Sequence, residues 1–88
     1  MFRDNVEENR FEWSENGELA VADYYAQGGA LVLPHVEAAM ALRGTGAAGR
    51  LMQGVTDHAR ARNLKLVPRC GYAVAWFRRH AEAADVLA

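Results

Sequence analysis

A glycine-rich turn carries the clearest chemistry in this sequence. Residues 42–50 read LRGTGAAGR, with Arg43 near one end and Arg50 at the other. No Asp or Glu stands in the opening turn of the amphipathic segment that follows. If that segment is a helix, its first N–H groups and its dipole are left free for an anion. The turn therefore predicts a phosphate or pyrophosphate site, and the alternative is a turn that serves only tight strand–helix packing.

Two familiar phosphate-binding motifs do not fit this turn. A Walker loop ends in Gly-Lys followed by Ser or Thr, and no such triplet occurs here. The dinucleotide fingerprint needs an acid about 20 residues after its glycines, and Gly44, Gly46 and Gly49 are followed by no suitable one. The predicted anion site is therefore of another type.

Four side chains have the chemistry to move a proton or to act as a nucleophile. His35 and Glu37 stand two apart in a predicted strand, so they share a face at a spacing of about 7 Å. Cys70 lies next to Arg69 at the predicted start of a helix, where a thiol is activated, and Tyr72 follows two residues later. The alternatives are a surface carboxylate, a structural histidine, a buried apolar thiol and a core tyrosine.

The elements of the first half have the two-residue period of β-strands. Phe11 and Trp13 fall on one face of a strand, and the Asn16-Gly17 pair that follows is a strong hairpin signal. A second turn at Gly28-Gly29 leads into the apolar run 30–33, which is typical of a strand buried on both faces. The pattern predicts an antiparallel meander of three strands, the last over 30–37.

The second half has the period of a helix. Ala47, Leu51, Val55 and Ala59 recur every four residues and predict a helix over 47–62. A short strand at 64–68, a helix at 71–80 and a helical tail at 81–88 follow. Strand, helix and strand form a β-α-β unit, whose two strands are expected to be parallel and whose crossover is expected to be right-handed.

Both prolines fall in the two strands of this unit. Pro34 and Pro68 cannot donate a ladder hydrogen bond. One interpretation is that the strands part at the prolines and leave a slot with unpaired backbone groups. The other is that each proline only marks a strand end or a bulge.

Composition limits the class of protein. The chain has 88 residues, enough for one domain over 1–88, and a net charge of −1, which gives no reason to expect nucleic acid or membrane as a partner. The start is acidic and lacks a signal-peptide core, and the one cysteine favours a reducing compartment, so we expect a cytoplasmic protein. The three histidines are far apart, so no metal site is expected.

The glycine-rich turn also resembles a family signature. Arg43-x-x-Gly46-x-Ala48 is similar to the [Q/R]-x-x-G-x-[G/A] pattern of the GNAT acetyltransferases. Most of the chain resembles one branch of that superfamily, the small GNAT-like proteins of the N-acetyltransferase domain-containing protein 1 group. The matching positions are Asn5, Arg10-Phe11-Glu12, Gly17, Ala20, Tyr24 or Tyr25, His35, Glu37, Leu42, Gly44, Ala59-Arg60, Val67-Pro68, Cys70, Tyr72, Arg79-His80, Glu82 and Asp85.

The resemblance implies a minimal α/β GNAT fold and acetyl-CoA as cofactor. The pyrophosphate would lie on backbone N–H groups from Gly44 to Ala48, and the pantetheine arm would enter between strands that end near Glu37 and Pro68. This assigns cofactor binding to Val36, Glu37, Arg43, Gly44, Thr45, Gly46, Ala47 and Ala48.

The resemblance also suggests how the four reactive side chains act in acetyl transfer to an amine. Glu37 or His35 would remove the amine proton, and Tyr72 would protonate the CoA thiolate. Cys70 would either accept the acetyl group or line the thioester pocket.

The tight Asn16-Gly17 turn leaves no room for the helices that wall the acceptor site of longer GNAT enzymes. We therefore expect an open acceptor side, a bulky acceptor such as a protein or peptide amine, and a monomer or weak homodimer. The alternative function is an acyl-CoA-binding or sensing module with little turnover, and a plain interaction domain is the third reading.

Overall fold

A computed structural model describes all 88 residues. The sheet has five strands in chain order, antiparallel from β1 to β4 and parallel between β4 and β5. The strands are β1 (Phe2–Asn5), β2 (Arg10–Glu15), β3 (Glu18–Gln27), β4 (Ala30–Ala38) and β5 (Leu66–Pro68), and the α-helices are α1 (Ala47–Arg62) and α2 (Gly71–Arg79). Short 3₁₀ segments occupy Val6–Glu8, Met40–Leu42 and Ala81–Val86.

Two tight hairpins join β2 to β3 and β3 to β4. Asn16 and Gly17 have φ angles of 50° and 76°, and Gly28 and Gly29 have 59° and 82°. Positive φ at both central residues gives a turn whose twist matches that of the flanking strands. The two predicted turns and the antiparallel meander are therefore confirmed.

Strand β1 is an element that the sequence pattern did not predict. It has only four residues, too few to display a period, and pairs Phe2 with Trp13 of β2. The Phe2 ring stacks on Phe11 at a centroid distance of 5.7 Å. It also lies so close to α1 that a Cβ on Gly54 would be 2.5 Å from a Phe2 ring carbon. Packing against a helix 50 residues away in the chain, rather than local propensity, therefore holds β1 in place.

A buried carboxylate fastens β1 to β2. Glu12 is only 5 % exposed, and it accepts hydrogen bonds from Asn5 Nδ2 at 2.8 Å and from Arg10 Nε at 2.7 Å. These bonds, first that from Asn5 and then that from Arg10, lower the pKa of Glu12. The ionised carboxylate therefore has the partners that its burial requires.

Helix α1 begins and ends where its period predicts, at Ala47 and Arg62. It packs on β2, β3 and β4, and its buried stripe contains the predicted positions together with Met52 and Thr56. No helix in the structure combines the length and the apolar composition that crossing a bilayer requires. The core residues that α1 shares with the sheet are Phe11, Ala20, Ala22, Leu33, Leu51, Met52, Val55 and Ala59.

The C-terminal part differs in detail from the expectation. The helix predicted over 71–80 ends one residue earlier, at Arg79, and its large buried residues are Trp76 and Phe77. The expected helical tail is a 3₁₀ segment, after which Leu87 forms an isolated parallel bridge with Leu66 of β5. The edge strand β5 therefore gains a partner from the end of the chain.

Gly54→Ala should destabilise the protein although alanine is the better helix former by about 1 kcal/mol. The new Cβ would collide with the Phe2 ring, whose displacement costs about 1–3 kcal/mol as an overpacked core. Denaturant unfolding measures the effect. Gly49→Ala in the same helix is the matched control, because its Cβ would meet its nearest neighbours at 3.8 Å and should leave stability equal or higher. Equal stability changes in the two variants would contradict this packing.

Thr56→Val should raise the free energy of unfolding by about 1 kcal/mol. Thr56 is fully buried, and its Oγ1 has no hydrogen-bond partner, so valine of the same shape removes an unpaired polar group. Thr45→Val is the control with the opposite sign, because the Thr45 hydroxyl donates to Leu42 O and accepts from Ala47 N. Thermal unfolding of both variants measures the two stability changes. A Thr56→Val protein less stable than the parent would contradict the prediction.

Candidate cofactor and active site

The parallel pairing of β4 with β5 is short. It comprises three residue pairs, the last of which joins Leu33 to Pro68. One further backbone bond runs from Arg69 N to Leu33 O at 3.0 Å. Strand β4 then continues to Ala38 without β5 beside it. The two strands therefore part beyond Leu33 and Pro68 and leave a gap between them. Both interpretations of the prolines apply, because Pro68 is also the last residue of β5 and Pro34 lies at an irregularity in the β4 register.

A β-bulge in β4 decides which peptide groups face the gap. Residues 33–34 lie opposite the single residue Tyr24 of β3, because the register shifts between its neighbours. Beyond the bulge, Ala39 N donates to a β3 carbonyl oxygen 2.9 Å away. Since peptide groups alternate in direction along a strand, Val36 and Ala38 point theirs away from β3 and into the gap. An extended ligand can therefore pair with β4 there as an added strand does.

The amino end of α1 lies just beyond β4 in the chain and is rich in free donors. Its N-cap, Gly46, has φ of 85° and no side chain to cap the helix, and no acid stands in the first turn. Thr45 Oγ1 takes the N–H of Ala47 at 3.2 Å. The backbone N–H groups that remain without an acceptor are those of Gly44, Gly46, Ala48 and Gly49. These donors and the helix dipole together favour an anion.

Arg50 is not the free cation that the sequence suggested. Its Nε and Nη2 bind the carboxylate of Glu15, the Nη2 contact at 3.0 Å, and Nη2 also donates to Thr45 O at 3.1 Å. The Arg50 hydrogen bond, with help from Trp13, lowers the pKa of Glu15. Arg50 therefore braces the turn as half of an ion pair, whereas Arg43 is exposed and has only a 3.5 Å contact, to Ala38 O.

His35 and Glu37 share a face of β4, as predicted. Their side chains meet at 3.2 Å between His35 Nε2 and Glu37 Oε1, with 53 % and 60 % exposed. Their cross-strand partners on β3 are Asp23 and Val21. Ala22, which lies between these two and faces the other side of the sheet, belongs to the core under α1. The pair therefore lies on the face of the sheet opposite α1 and is open to an acceptor in solvent.

Cys70 and Tyr72 lie on the other side of the gap, where β5 ends and α2 begins. Cys70 is the N-cap of α2, and its Sγ accepts the N–H of Ala73 at 3.4 Å. A Cβ on Gly49 would lie 3.8 Å from Tyr72 Oη, so the phenol reaches the first turn of α1. Burial raises the pKa of Tyr72, against a smaller opposing effect of Arg79. The phenol therefore keeps its proton at neutral pH.

The structure thus sorts the predicted residues into three groups around one gap. His35 and Glu37 pair on one side, Cys70 and Tyr72 flank the other, and the turn 43–48 stands at the end of the gap beside α1. No hydrogen bond or ion pair joins the first pair to the second. Sequence reasoning missed Glu15, which lies 35 residues before Arg50 and carries no local signal for the pairing.

These residues fit the cofactor that the sequence resemblance implied. A diphosphate needs several donors and no competing acid, and the amino end of α1 meets both conditions. A pantetheine arm has amides that need extended backbone partners, and the peptide groups of Val36 and Ala38 supply them.

Comparisons with known proteins point to one family. A sequence model of the GCN5-related N-acetyltransferases matches residues 10–86. The solution structure of a GCN5-like protein from Staphylococcus aureus, described as a proposed N-acetyltransferase, has a TM-score of 0.69 and 25 % identity. The match covers 100 % of this chain and 87 % of that one. No curated protein matches the chain. The minimal GNAT fold is thus confirmed, and the chain belongs to the GCN5-related N-acetyltransferase family as one of its small acetyltransferases.

Proposed function

We propose that this protein transfers the acetyl group of acetyl-CoA to an exposed amine, such as one on a protein or peptide. The observation that carries the proposal is the free amino end of α1 at the mouth of the gap between β4 and β5. Acetyl-CoA supplies the acetyl group as an activated thioester when it is bound. The backbone N–H groups around Gly46 hold its diphosphate, and Arg43 adds a positive charge.

The open face of β4 supports a bulky acceptor. Glu37 is 60 % exposed, and its neighbour His35 lies within 3.2 Å of it. The hairpin at Asn16 joins β2 to β3 directly, so no helix intervenes between these strands. A flexible amine on a larger molecule can therefore reach Glu37 without entering an enclosed chamber.

The two proton transfers of the reaction use side chains on opposite sides of the gap. Glu37 accepts a proton from the acceptor amine, directly or through His35. Tyr72 holds a proton at its phenolic oxygen on the opposite side and donates it, or a hydrogen bond, to the leaving thiolate. Cys70 lines the gap beside Tyr72, where its sulfur is held by the Ala73 N–H.

Titration with coenzyme A should move the backbone amide resonances of residues 43–50. The N–H groups of Gly44, Gly46, Ala48 and Gly49 have no partner in the free chain, so a bound diphosphate changes their hydrogen bonding directly. A ¹⁵N-labelled sample measures the change, with the amides of β1 as the internal control because that strand lies at the far edge of the sheet. Resonances of 43–50 that stay fixed at millimolar ligand would overturn the cofactor assignment.

Glu37→Gln should keep coenzyme A binding and lower acetyl transfer by about 100-fold, the usual contribution of a general base. Mass spectrometry of a lysine-containing peptide incubated with acetyl-CoA counts the product. Glu7→Gln, an exposed acid outside the site, is the matched control. A Glu37→Gln protein with the parent rate would remove Glu37 from the mechanism.

Cys70→Ala separates the two roles of the thiol. If Cys70 only lines the gap, the variant should bind coenzyme A and retain most of the rate, and no acetyl group should appear on the parent protein. An acetylated Cys70 tryptic peptide, together with loss of turnover in the variant, would instead establish a two-step reaction. Tight coenzyme A binding without product from any amine would favour the binding-module alternative.

A further inference from the structure

Trp76 is a buried residue whose one polar group has no partner. The side chain contributes to the core, and the residue is 2 % exposed. Its indole N–H makes no hydrogen bond, although the other tryptophan, Trp13, donates to Glu15 Oε1 at 2.6 Å. The only fully buried side-chain polar atom without a partner is Thr56 Oγ1, so the Trp76 nitrogen still reaches the surface. It is therefore available to a ligand.

The Trp76 Nε1 atom lies beside the first turn of α1. A Cβ on Gly49 would lie 3.8 Å from Trp76 Nε1 and 3.8 Å from Tyr72 Oη, so two donors of α2 converge on one point. Gly49 is in the first turn of α1, its own N–H has no acceptor, and a Cβ bond in a helix tilts toward the N-terminus. Two free N–H donors and the Tyr72 hydroxyl thus lie around a small space that the missing side chain of Gly49 leaves open.

The indole is held in place before any ligand arrives. His80 stacks on it with ring centroids 4.0 Å apart and an interplanar angle of 14°, and Phe77 meets it edge-on at 5.1 Å. The His80 ring is itself fixed by a contact of 2.8 Å between its Nδ1 and Trp76 O. A donor fixed in this way loses little conformational freedom on binding.

We infer that Trp76 Nε1 donates a hydrogen bond to an oxygen of bound coenzyme A in the space beside Gly49, with the Gly49 N–H as the second donor. The inference rests on the proposed cofactor and adds a binding residue to it. Coenzyme A offers two kinds of acceptor there, a diphosphate oxygen and a pantetheine carbonyl oxygen. An acceptor suits this place because Trp76 and Gly49 present only N–H groups to it.

The indole N–H resonances test the inference without any substitution. On titration with coenzyme A, the Trp76 indole signal should shift together with the amides of 44–48, whereas the amides of β1 should stay in place as the internal control. ADP and pantetheine, titrated separately, assign the acceptor to the diphosphate or to the arm. If the amides of 44–48 shift while the Trp76 indole signal moves no more than the amides of β1, the inference is overturned and the cofactor stands. If neither moves, the proposed cofactor fails and the inference fails with it.

A variant supplies the second readout. Gly49→Ala fills the space with one methyl group at ordinary contact distances, so it should fold normally and bind coenzyme A about threefold to tenfold more weakly, the factor for a lost hydrogen bond. Ala61→Ser adds one heavy atom at an exposed position near the other end of α1 and should leave affinity unchanged. Unaltered affinity in a stable Gly49→Ala protein would contradict the inference.

Discussion

The end of backbone pairing between β4 and β5 is the constraint on which the site depends. Parallel strands in a small domain normally pair along their shared length, because unpaired buried peptide groups are costly. Here the ladder stops at Leu33 and Pro68, and β4 continues past the end of its neighbour. The peptide groups of Val36 and Ala38 are left facing a gap. Under the proposed function, a ligand of extended shape completes the sheet there by forming hydrogen bonds with these free peptide groups.

The amino end of α1, like the end of the β4–β5 ladder, has backbone groups without hydrogen-bond partners. A helix leaves its first N–H groups unpaired, and most helices cap them with a side chain or an acid. Gly46 provides neither, and Thr45 takes only one donor. The Glu15 carboxylate is paired with Arg50, so it supports the turn without occupying the free N–H groups. An anion therefore meets donors that have no other partner.

The two sides of the gap have different surroundings, which suits a reaction with two proton movements. His35 and Glu37 lie in solvent on an uncovered face, where an acceptor can arrive. Tyr72 is partly shielded beside α1, and burial raises the pKa of its phenol. Under the proposed function, the base is exposed to the incoming amine, and the proton donor lies on the side of the departing thiolate. This separation follows from the alternation of side chains along β4 and from the turn of the chain into α2.

The sequence by itself determined the local structure. Positive-φ residues at Asn16 and Gly28-Gly29 fix the hairpins, the four-residue apolar period fixes α1 from Ala47 to Arg62, and the open turn before it indicates the anion site. These features depend on residues that are close in the chain, so the local sequence pattern predicts them.

Only the tertiary structure decided which residues from distant segments meet. It placed β1 through the contact of Phe2 with Gly54, paired Arg50 with Glu15, and brought Trp76 to Gly49. Each of these contacts joins segments far apart in the chain. The local sequence around one residue of such a pair does not show which distant residue will contact it. Periodicity therefore predicts elements and the faces they bury, whereas the partners across those faces are fixed only when the elements pack.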